Sequence, residues 1–558
     1  MQHLARKNKG SQPSNRREFL RQACTGVLGL SLASVLGAGM GSAPSRAAAR
    51  DSSSASGAAQ RPNIIVIMAD DMGYSDIGCY GGEVQTPNLD QLAADGLRFT
   101  QFYNAARCCP TRASILTGLY PHQAGVGAMV GPGDRPGYRG RLNESCVTFA
   151  EVLKEAGYQT FMSGKWHVTH FNYNDPEPTL HRESWPRQRG FDRFFGTLAG
   201  GGSFFTPVSL MRENEFIEPG EDFYYTDAIN DQAVEYIQEA DPERPFLMYV
   251  SHVAPHWPLH ALPEDIAKYE GVYDVGWDVV RERRHERMKA MGLVDPQWPL
   301  TPRDSRVPAW EEAENKDWEA HRMAVYAAQV DNMDQGIGRI MAALKAQGQW
   351  ENTLILFLSD NGGSPEVIQG QDTRHGYFER GGTTPEVMPG APDTYASYGV
   401  PWANASNTPY RRYKAWIHEG GSATPLIAHW PEVISGDQIT HEVGHIIDIM
   451  ATCVDLADAS YPEEYNGHAI TPLEGKSLLP LFQGQTREGH EALYWEHLGK
   501  RGMRAGKWKI VGEEDEAWEL YDLEADRVEL NNLADADPER VEAMVAQWQA
   551  WAERCHVL

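Results

Sequence analysis

Asn63-Ile64-Ile65-Val66-Ile67-Met68-Ala69-Asp70-Asp71 opens the folded part of this chain of 558 residues. Residues 63–68 form a continuous apolar run, which is typical of a strand buried on both faces of a parallel sheet. Two carboxylates follow directly. Because ligands in such sheets collect beyond the carboxyl ends of the strands, the stretch predicts a central strand with a polar site at its end.

Strands and helices alternate along the rest of the chain. A second apolar strand at 353–358 runs into Ser359-Asp360-Asn361-Gly362-Gly363. The other predicted elements are a helix begun by Thr86-Pro87 with Leu89, Leu92, Ala93 and Leu97 at helical spacing, a helix capped by Thr148 and stopped by Gly157, strands at 160–163 and 246–250, and a helix over 323–346. This alternation predicts an α/β fold whose mainly parallel sheet is flanked by helices.

Two polar pairs follow apolar strands, Asp70 with Asp71 and Asp360 with Asn361. Either pair alone would be read as a polar turn after a strand. Together, at the same edge of a sheet, they offer four oxygen ligands without His or Cys, which suits a hard divalent ion such as Ca²⁺ or Mg²⁺.

The most informative motif is Arg107-Cys108-Cys109-Pro110-Thr111-Arg112-Ala113-Ser114-Ile115-Leu116-Thr117-Gly118. Pro110 suits a first helical turn, so Cys108 is expected at a helix N-terminus, where backbone N–H groups stabilise negative charge. Arg112, one turn on, can hold an anion at the same point. Unmodified, Cys108 could be a thiolate nucleophile or a buried structural cysteine, and Cys109 is expected to be a packing residue.

Further candidate residues lie in polar segments after other strands. They are Lys165 and His167 in Gly164-Lys165-Trp166-His167, His256 in Ala254-Pro255-His256-Trp257-Pro258, and Lys414 ahead of His418-Glu419-Gly420-Gly421. Each alone is ordinary, since a lone Lys is usually solvated and a lone His usually structural.

The order of these motifs along the chain resembles that of the type I, formylglycine-dependent sulfatases. The resemblance covers nearly all of residues 61–555 and is closest to the bacterial arylsulfatases, including Asn-Thr-Pro-Tyr-Arg-Arg-Tyr-Lys at 407–414. It implies an alkaline-phosphatase-like catalytic domain over 61–485. It also implies a C-terminal subdomain over 486–558, with a four-stranded antiparallel sheet and a helix. His418 departs from the aromatic residue of many relatives, and no role is assigned to it.

The resemblance also implies roles for the candidate residues. A formylglycine-generating enzyme would convert Cys108 to 3-oxoalanine (formylglycine), whose hydrate attacks the sulfur of a sulfate ester. It implies one Ca²⁺, rather than Mg²⁺, bound by Asp70, Asp71, Asp360, Asn361 and residue 108. Arg112 and Lys165 would hold the gem-diol, and Asp360 would help to deprotonate it. His256, aided by Lys414, would protonate the departing alcohol, and His167 would take the proton whose loss releases sulfate.

Three other functions are compatible with parts of this pattern. A phosphonate or phosphodiester hydrolase of the same superfamily can share the Cys-x-Pro-x-Arg aldehyde. A zinc phosphatase would need further Asp and His ligands, and the sequence offers no convincing set. A non-catalytic binder of sulfated glycans would keep the Cys108 thiol intact.

The N-terminal segment is predicted to be an export signal rather than part of the fold. Asn15-Arg16-Arg17-Glu18-Phe19-Leu20 is a twin-arginine pattern, an apolar run over 26–40 follows, and Ala47-Ala48-Ala49 offers a cleavage site. Residues 1–49 are therefore expected to engage the twin-arginine translocation machinery, and 50–60 to form a flexible leader. The run is too short and glycine-broken for a stable membrane span, so a periplasmic or secreted location is expected.

Charge narrows the choice of partner. The chain carries a formal −27, and removal of 1–49 would leave 43 basic and 76 acidic residues, a formal −33. This argues against nucleic acid or an anionic membrane as partner, and it requires a local cationic pocket for any sulfate. Seven cysteines without a CxxC or Cys/His zinc spacing do not form a disulfide scaffold.

The natural ester, aryl or carbohydrate, is not determined by the sequence. Long segments at 200–222, 270–312 and 366–412 are expected to cover the pocket. Their aromatic residues could stack on a sugar or aryl ring or could pack internally: Phe204, Phe205, Trp277, Tyr377 and Trp402.

Overall fold

A computed structural model describes residues 61–171, 181–370 and 378–558. The predicted signal at 1–49, the leader at 50–60 and Tyr377 lie outside the described residues. The strands are β1 (Asn63–Ala69), β2 (Leu97–Tyr103), β3 (Gln159–Lys165), β4 (Arg193–Thr197), β5 (Leu210–Arg212), β6 (Glu215–Phe216), β7 (Phe246–Ser251), β8 (Thr353–Ser359), β9 (Arg380–Gly381), β10 (Thr394–Tyr395), β11 (Ala423–His429), β12 (Gln438–Thr440), β13 (Gly444–His445), β14 (Glu464–Tyr465), β15 (His468–Ala469), β16 (Leu493–His497), β17 (Lys500–Ala505), β18 (Trp508–Gly512) and β19 (Glu519–Asp522).

The α-helices are α1 (Pro87–Ala94), α2 (Cys108–Thr117), α3 (Phe149–Glu155), α4 (Tyr225–Glu239), α5 (Pro263–Ile266), α6 (Gly276–Ala290), α7 (Lys316–Ala346), α8 (Gly399–Ser406), α9 (Glu419–Ser422), α10 (Asp448–Leu456), α11 (Leu479–Phe482) and α12 (Pro538–Arg554).

The main sheet has the strand order β12-β2-β11-β8-β1-β7-β3-β4-β5-β6, with β13 beside β2. Its centre, from β8 through β1, β7 and β3 to β4, is parallel throughout. Strand β11 runs antiparallel to its neighbours β8 and β2, and at the other edge β5 runs antiparallel to β4 and β6. The predicted mainly parallel α/β sheet is therefore confirmed.

Helices cover both faces of this sheet. Phe161 of β3 stacks on Tyr236 of α4, with ring centroids 5.3 Å apart. Tyr249 of β7, which is paired in register with the next β3 residue, packs against Phe149 of α3 at 5.9 Å. Because adjacent residues of a strand point to opposite faces, α3 and α4 lie on opposite sides of the sheet.

The residue pattern at Thr148 correctly predicted the start of a helix. Thr148 and Glu151 form a reciprocal capping box at α3, as the predicted cap requires.

The inclusion of Leu97 in the first helix was wrong. That helix ends at Ala94 and Leu97 begins β2, since Gly96 turns the chain where a side chain would meet the Leu92 and Ala428 carbonyl oxygens at 2.5 Å.

Several aromatic residues of the long segments are packing residues. Trp277 and Trp402 are fully buried and meet edge to face at 5.6 Å, and Phe204 is buried as well. Phe205 alone among the described members of that set is partly exposed. Most of these rings are therefore core residues that cannot stack on a ligand.

The predicted C-terminal sheet is confirmed. Strands β16, β17, β18 and β19 form a four-stranded antiparallel sheet in chain order. Helix α12 packs on β17 and β18, and its Trp548 indole donates to the Trp495 carbonyl oxygen at 3.0 Å.

A buried ionic cluster joins this sheet to the segment that follows Lys414. Glu419 Oε1 lies 2.7 Å from Lys509 Nζ, and Glu419 Oε2 lies 2.8 Å from Arg527 Nε. All three side chains are inaccessible to solvent. Burial raises the pKa of Glu419, but the charges of Lys509 and Arg527 outweigh it and lower that pKa to about 2. The carboxylate is therefore ionised and holds the two parts of the fold together.

Replacing Glu419→Gln is expected to lower the free energy of unfolding by about 3–5 kcal/mol, because it leaves buried Arg527 without its carboxylate partner. Lys509 would lose one of its two partners and keep Glu529, whose Oε1 lies 3.0 Å from Lys509 Nζ. Chemical denaturation measures this change. The control is Glu144→Gln, which removes an exposed partner of Arg139 and should change stability by less than about 1 kcal/mol. Equal effects of the two variants would contradict the structural role of the cluster.

Candidate active site

The four predicted metal ligands meet at one edge of the main sheet. Ala69 and Ser359, the last residues of β1 and β8, are paired in register, so the residues that follow them lie side by side. Asn361 Nδ2 donates to Asp71 Oδ1 at 2.7 Å, and the Asp71 amide donates to Asp360 Oδ1 at 3.2 Å. All four side chains are buried: Asp70, Asp71, Asp360 and Asn361.

Two buried cations lie against these carboxylates. Arg112, on α2, donates to Asp360 Oδ2 at 2.9 Å and lies 3.4 Å from Asp70 Oδ2. Lys165, the last residue of β3, pairs with Asp70. Burial would raise the pKa of Asp70, but Lys165, His256 and Arg112 hold it below its usual value.

The oxygen cluster fits one hard divalent cation. Asp70 Oδ1 and Asn361 Oδ1 are buried and have no hydrogen-bond partner. Burial, followed by the neighbouring charge of Asp70, raises the pKa of Asp360 well above its usual value. Unsatisfied oxygens and crowded carboxylates of this kind are what an oxygen-ligated cation compensates.

Cys108 is the first residue of α2, as predicted, and is buried. A hydrogen bond from Cys109, together with Lys165 and His167, lowers the pKa of Cys108 well below that of an ordinary thiol despite burial. Cys109 is more than a packing residue, since its Sγ lies 3.3 Å from His167 Nε2. The position therefore stabilises negative charge on whatever group residue 108 carries.

His167 faces the same point from the end of β3. Burial, with a further contribution from Lys165, lowers its pKa to about 4, so the ring is neutral near pH 7. Gly200 gives it room, because a Cβ there would lie 2.2 Å from the imidazole Cε1. A neutral histidine can accept a proton.

His256 and Lys414 form a second pair, next to Asp71. Lys414 Nζ lies 2.8 Å from Asp71 Oδ2 and 3.4 Å from His256 Nε2. Burial lowers the pKa of His256. Burial also opposes the charge on Lys414, but Asp71 and Glu366 outweigh it and raise the pKa of Lys414. All the residues predicted for the site are thus brought together.

The glycines of the two Gly-Gly motifs allow the loops to interlock. A Cβ on Gly362 would lie 1.9 Å from the Gly420 carbonyl oxygen, and one on Gly420 would lie 2.4 Å from the carbonyl oxygens of Arg411 and Arg412. The backbone after Asn361 therefore packs in direct contact with the backbone of the segment that carries Lys414. Any larger residue would separate the two.

The sequence analysis gave no role to four residues of this region. Ser251 bonds Arg112 and donates to the Lys165 carbonyl oxygen at 2.7 Å, and it ends β7, so the strand-end rule could have found it. Glu366 Oε1 lies 3.0 Å from Arg107 Nη2, and Glu366 Oε2 lies 3.1 Å from Lys414 Nζ. No sequence motif singles out Glu366 as a residue of the site. His418, left without a role, bonds Glu519 of β19 at 3.0 Å and so contacts the C-terminal sheet.

Fold and site together define an alkaline-phosphatase-like α/β enzyme with a candidate nucleophile position among cations and carboxylates. The chain matches the Sulfatase family model over residues 62–459 and the model "N-sulphoglucosamine sulphohydrolase, C-terminal" over 411–551. It belongs to the sulfatase family, whose type I members are formylglycine-dependent, and it is a sulfuric ester hydrolase.

Similar proteins cover nearly the same length. An uncharacterised sulfatase of Schizosaccharomyces pombe is 34% identical over 528 residues, spanning 88% of this chain and 93% of that protein. An arylsulfatase of Klebsiella aerogenes is 35% identical over 457 residues, spanning 77% and 93%. A crystal structure of Ps i-CgsB in complex with k-i-k-neocarrahexaose has a TM-score of 0.63 at 25% identity and covers 88% and 93%.

In the described part of the chain, no helix is both long and apolar enough to cross a bilayer.

Proposed function

We propose that this chain hydrolyses aryl or carbohydrate sulfate esters to an alcohol or phenol and inorganic sulfate, using formylglycine made from Cys108 and one bound Ca²⁺. The observation that carries the proposal is the convergence of the six candidate catalytic side chains around one buried carboxylate cluster. They are Cys108, Arg112, Lys165, His167, His256 and Lys414.

Residue 108 supplies the nucleophile. As formylglycine its hydrate offers a hydroxyl group that no encoded side chain provides. In the folded chain Cys108 is only 1% exposed, which supports conversion by a formylglycine-generating enzyme before folding. The N-terminus of α2 and the two buried cations Arg112 and Lys165 stabilise negative charge at this point.

Asp70, Asp71, Asp360 and Asn361, together with residue 108, would hold the Ca²⁺. When bound there, the ion would supply Lewis-acid stabilisation of negative charge on residue 108 and on the sulfate group. Asp360, whose pKa burial raises, is suited to accept the proton of the attacking hydroxyl.

Two histidines divide the remaining proton transfers. His256 passes a proton to the departing oxygen of the ester. Because burial lowers the pKa of the ring, the proton comes from the charged Lys414, whose Nζ lies 3.4 Å from His256 Nε2. His167, neutral because burial lowers its pKa, accepts the proton whose removal releases sulfate from residue 108. Because His256 contacts Asp71 and Lys414 while His167 contacts Cys109, the two rings suit an acid and a base that act in separate steps.

The proposal also covers export of the protein and its division into domains. The twin-arginine pattern at 15–20 supports export to the periplasm or beyond, and the chain is proposed to comprise a catalytic domain over 61–485 and a subdomain over 486–558.

A carbohydrate ester is supported by a relative described as an N-acetylglucosamine-6-O-sulfatase of Bacteroides thetaiotaomicron, 27% identical to this chain.

Matched esters separate this function from the phosphonate or phosphodiester hydrolase alternative. With converted protein, kcat/KM for 4-nitrophenyl sulfate should exceed that for bis-4-nitrophenyl phosphate by about 100-fold, equivalent to about 2.7 kcal/mol of transition-state stabilisation. Cys108→Ala is the control and should lose both activities. A preference for the phosphodiester would favour the alternative, and sulfate-ester binding without turnover would favour a glycan binder.

Calcium should stabilise the fold through the carboxylate cluster. Ca²⁺ at 100 times its dissociation constant is expected to add about 2.7 kcal/mol to the free energy of unfolding, measured as a rise in Tm after chelator treatment. Asp360→Asn should abolish that rise. Asp334→Asn, a buried carboxylate that bonds Leu89 and Asn88 instead, should keep it. A Ca²⁺ response that survives Asp360→Asn would remove the proposed metal site.

A further inference from the structure

We infer that Glu366 is a specificity-determining residue that restricts the entrance of this site to esters bearing no second anionic group near the sulfate. The inference rests on the sulfate-ester activity proposed above and names the substrate class more closely. It assigns Glu366 a role in choosing the alcohol part of the substrate, not in the bond-breaking steps.

Glu366 links the outer cations of the site through one carboxylate. Its Oε2 accepts from Lys414 Nζ at 3.1 Å, from the Trp257 indole at 2.8 Å and from Ser364 Oγ at 3.1 Å. Its Oε1 accepts from Arg107 at 3.0 Å. These contacts place the carboxylate beside the Lys414–His256 pair, where the departing alcohol would lie.

Exposure shows that this group lies on the solvent side of the ionic network. The side chains of Glu366 and Arg107 are 30% and 18% exposed, whereas those of Lys414 and Asp71 are 1% and 2% exposed. Arg112, Lys165 and Asp70 are completely buried. Of the charged side chains in this network, Glu366 and Arg107 are thus the ones that solvent reaches, and we take their side as the one from which an ester enters.

The negative charge of Glu366 offsets the positive charges of Arg107 and Lys414, and this balance determines which substrates are attracted to that part of the site. Arg107 and Lys414 would otherwise present two cations to the alcohol part of an ester. Lys414 and Arg107 lower the pKa of Glu366 despite burial, so the carboxylate stays ionised and offsets them. The inner cations remain available for the sulfate group, while a second sulfate or carboxylate on the alcohol meets Glu366 at close range.

The charge of the whole chain acts in the same direction. A formal charge of −27 disfavours the approach of polyanions. Singly sulfated aryl or sugar esters with neutral or hydroxyl-bearing neighbours suit this arrangement, since a carboxylate can also accept hydrogen bonds from substrate hydroxyl groups.

Two aryl sulfates of equal size test the inference. The probes are 3-carboxyphenyl sulfate, which carries a second anion, and 3-carbamoylphenyl sulfate, which does not. The measured quantity is the ratio of their kcat/KM values, by sulfate release from protein whose conversion at residue 108 has been verified. A general loss of activity caused by misplacing Lys414 cancels in this ratio.

Glu366→Gln should raise the carboxy-to-carbamoyl ratio about tenfold at low salt, because it removes one negative charge near the aryl ring. Arg107→Gln should move the ratio in the opposite direction. Added salt should reduce both shifts, since both charges are partly exposed. Glu144→Gln, which removes an exposed acid paired with Arg139, should leave the ratio unchanged.

A ratio unchanged in Glu366→Gln, with both substrates slowed equally, would overturn the inference and leave Glu366 as a residue that only positions Lys414. A shift of the same sign in both variants would also overturn it. Wild-type protein that releases sulfate from neither ester would instead overturn the proposed function on which the inference rests.

Discussion

Arg112 bridges two carboxylates that end adjacent strands, and this interaction organises the rest of the site. Its guanidinium contacts Asp360 at 2.9 Å and Asp70 at 3.4 Å with no access to water. Such an arrangement is tolerated only when every charge is compensated. It fixes helix α2, and with it residue 108, against the carboxyl ends of β1 and β8.

The central sheet could be predicted from the sequence because buried parallel strands carry a strong signal. The apolar runs at 63–68 and 353–358 had the length and flanking residues of strands, and both were confirmed, as Asn63–Ala69 and Thr353–Ser359. The helix end before Leu97 was misplaced because apolar spacing continues through Gly96 while the backbone turns there. Periodicity describes side chains and does not report where the chain must change direction.

The candidate site was predictable where motifs coincide with strand ends, and less so elsewhere. Asp70, Asp360 and Lys165 lie at such ends, so topology alone brings them together. Glu366 has no such marker, because its contacts with Arg107 and Lys414 depend on how two separate loops interlock through Gly362 and Gly420. Contacts of that kind follow from tertiary packing and have no local pattern.

The proposed chemistry depends on residue 108 being an aldehyde in the active protein. The most direct measurement is the mass of the tryptic peptide Cys108–Arg112 from preparations whose sulfate-releasing activity is assayed in parallel. We expect a mass about 18 Da below that of the cysteine form, because –CHO replaces –CH₂SH, and the converted fraction should rise in proportion to activity. Fully active protein that retains an unmodified Cys108 would contradict the account and point to a thiolate enzyme.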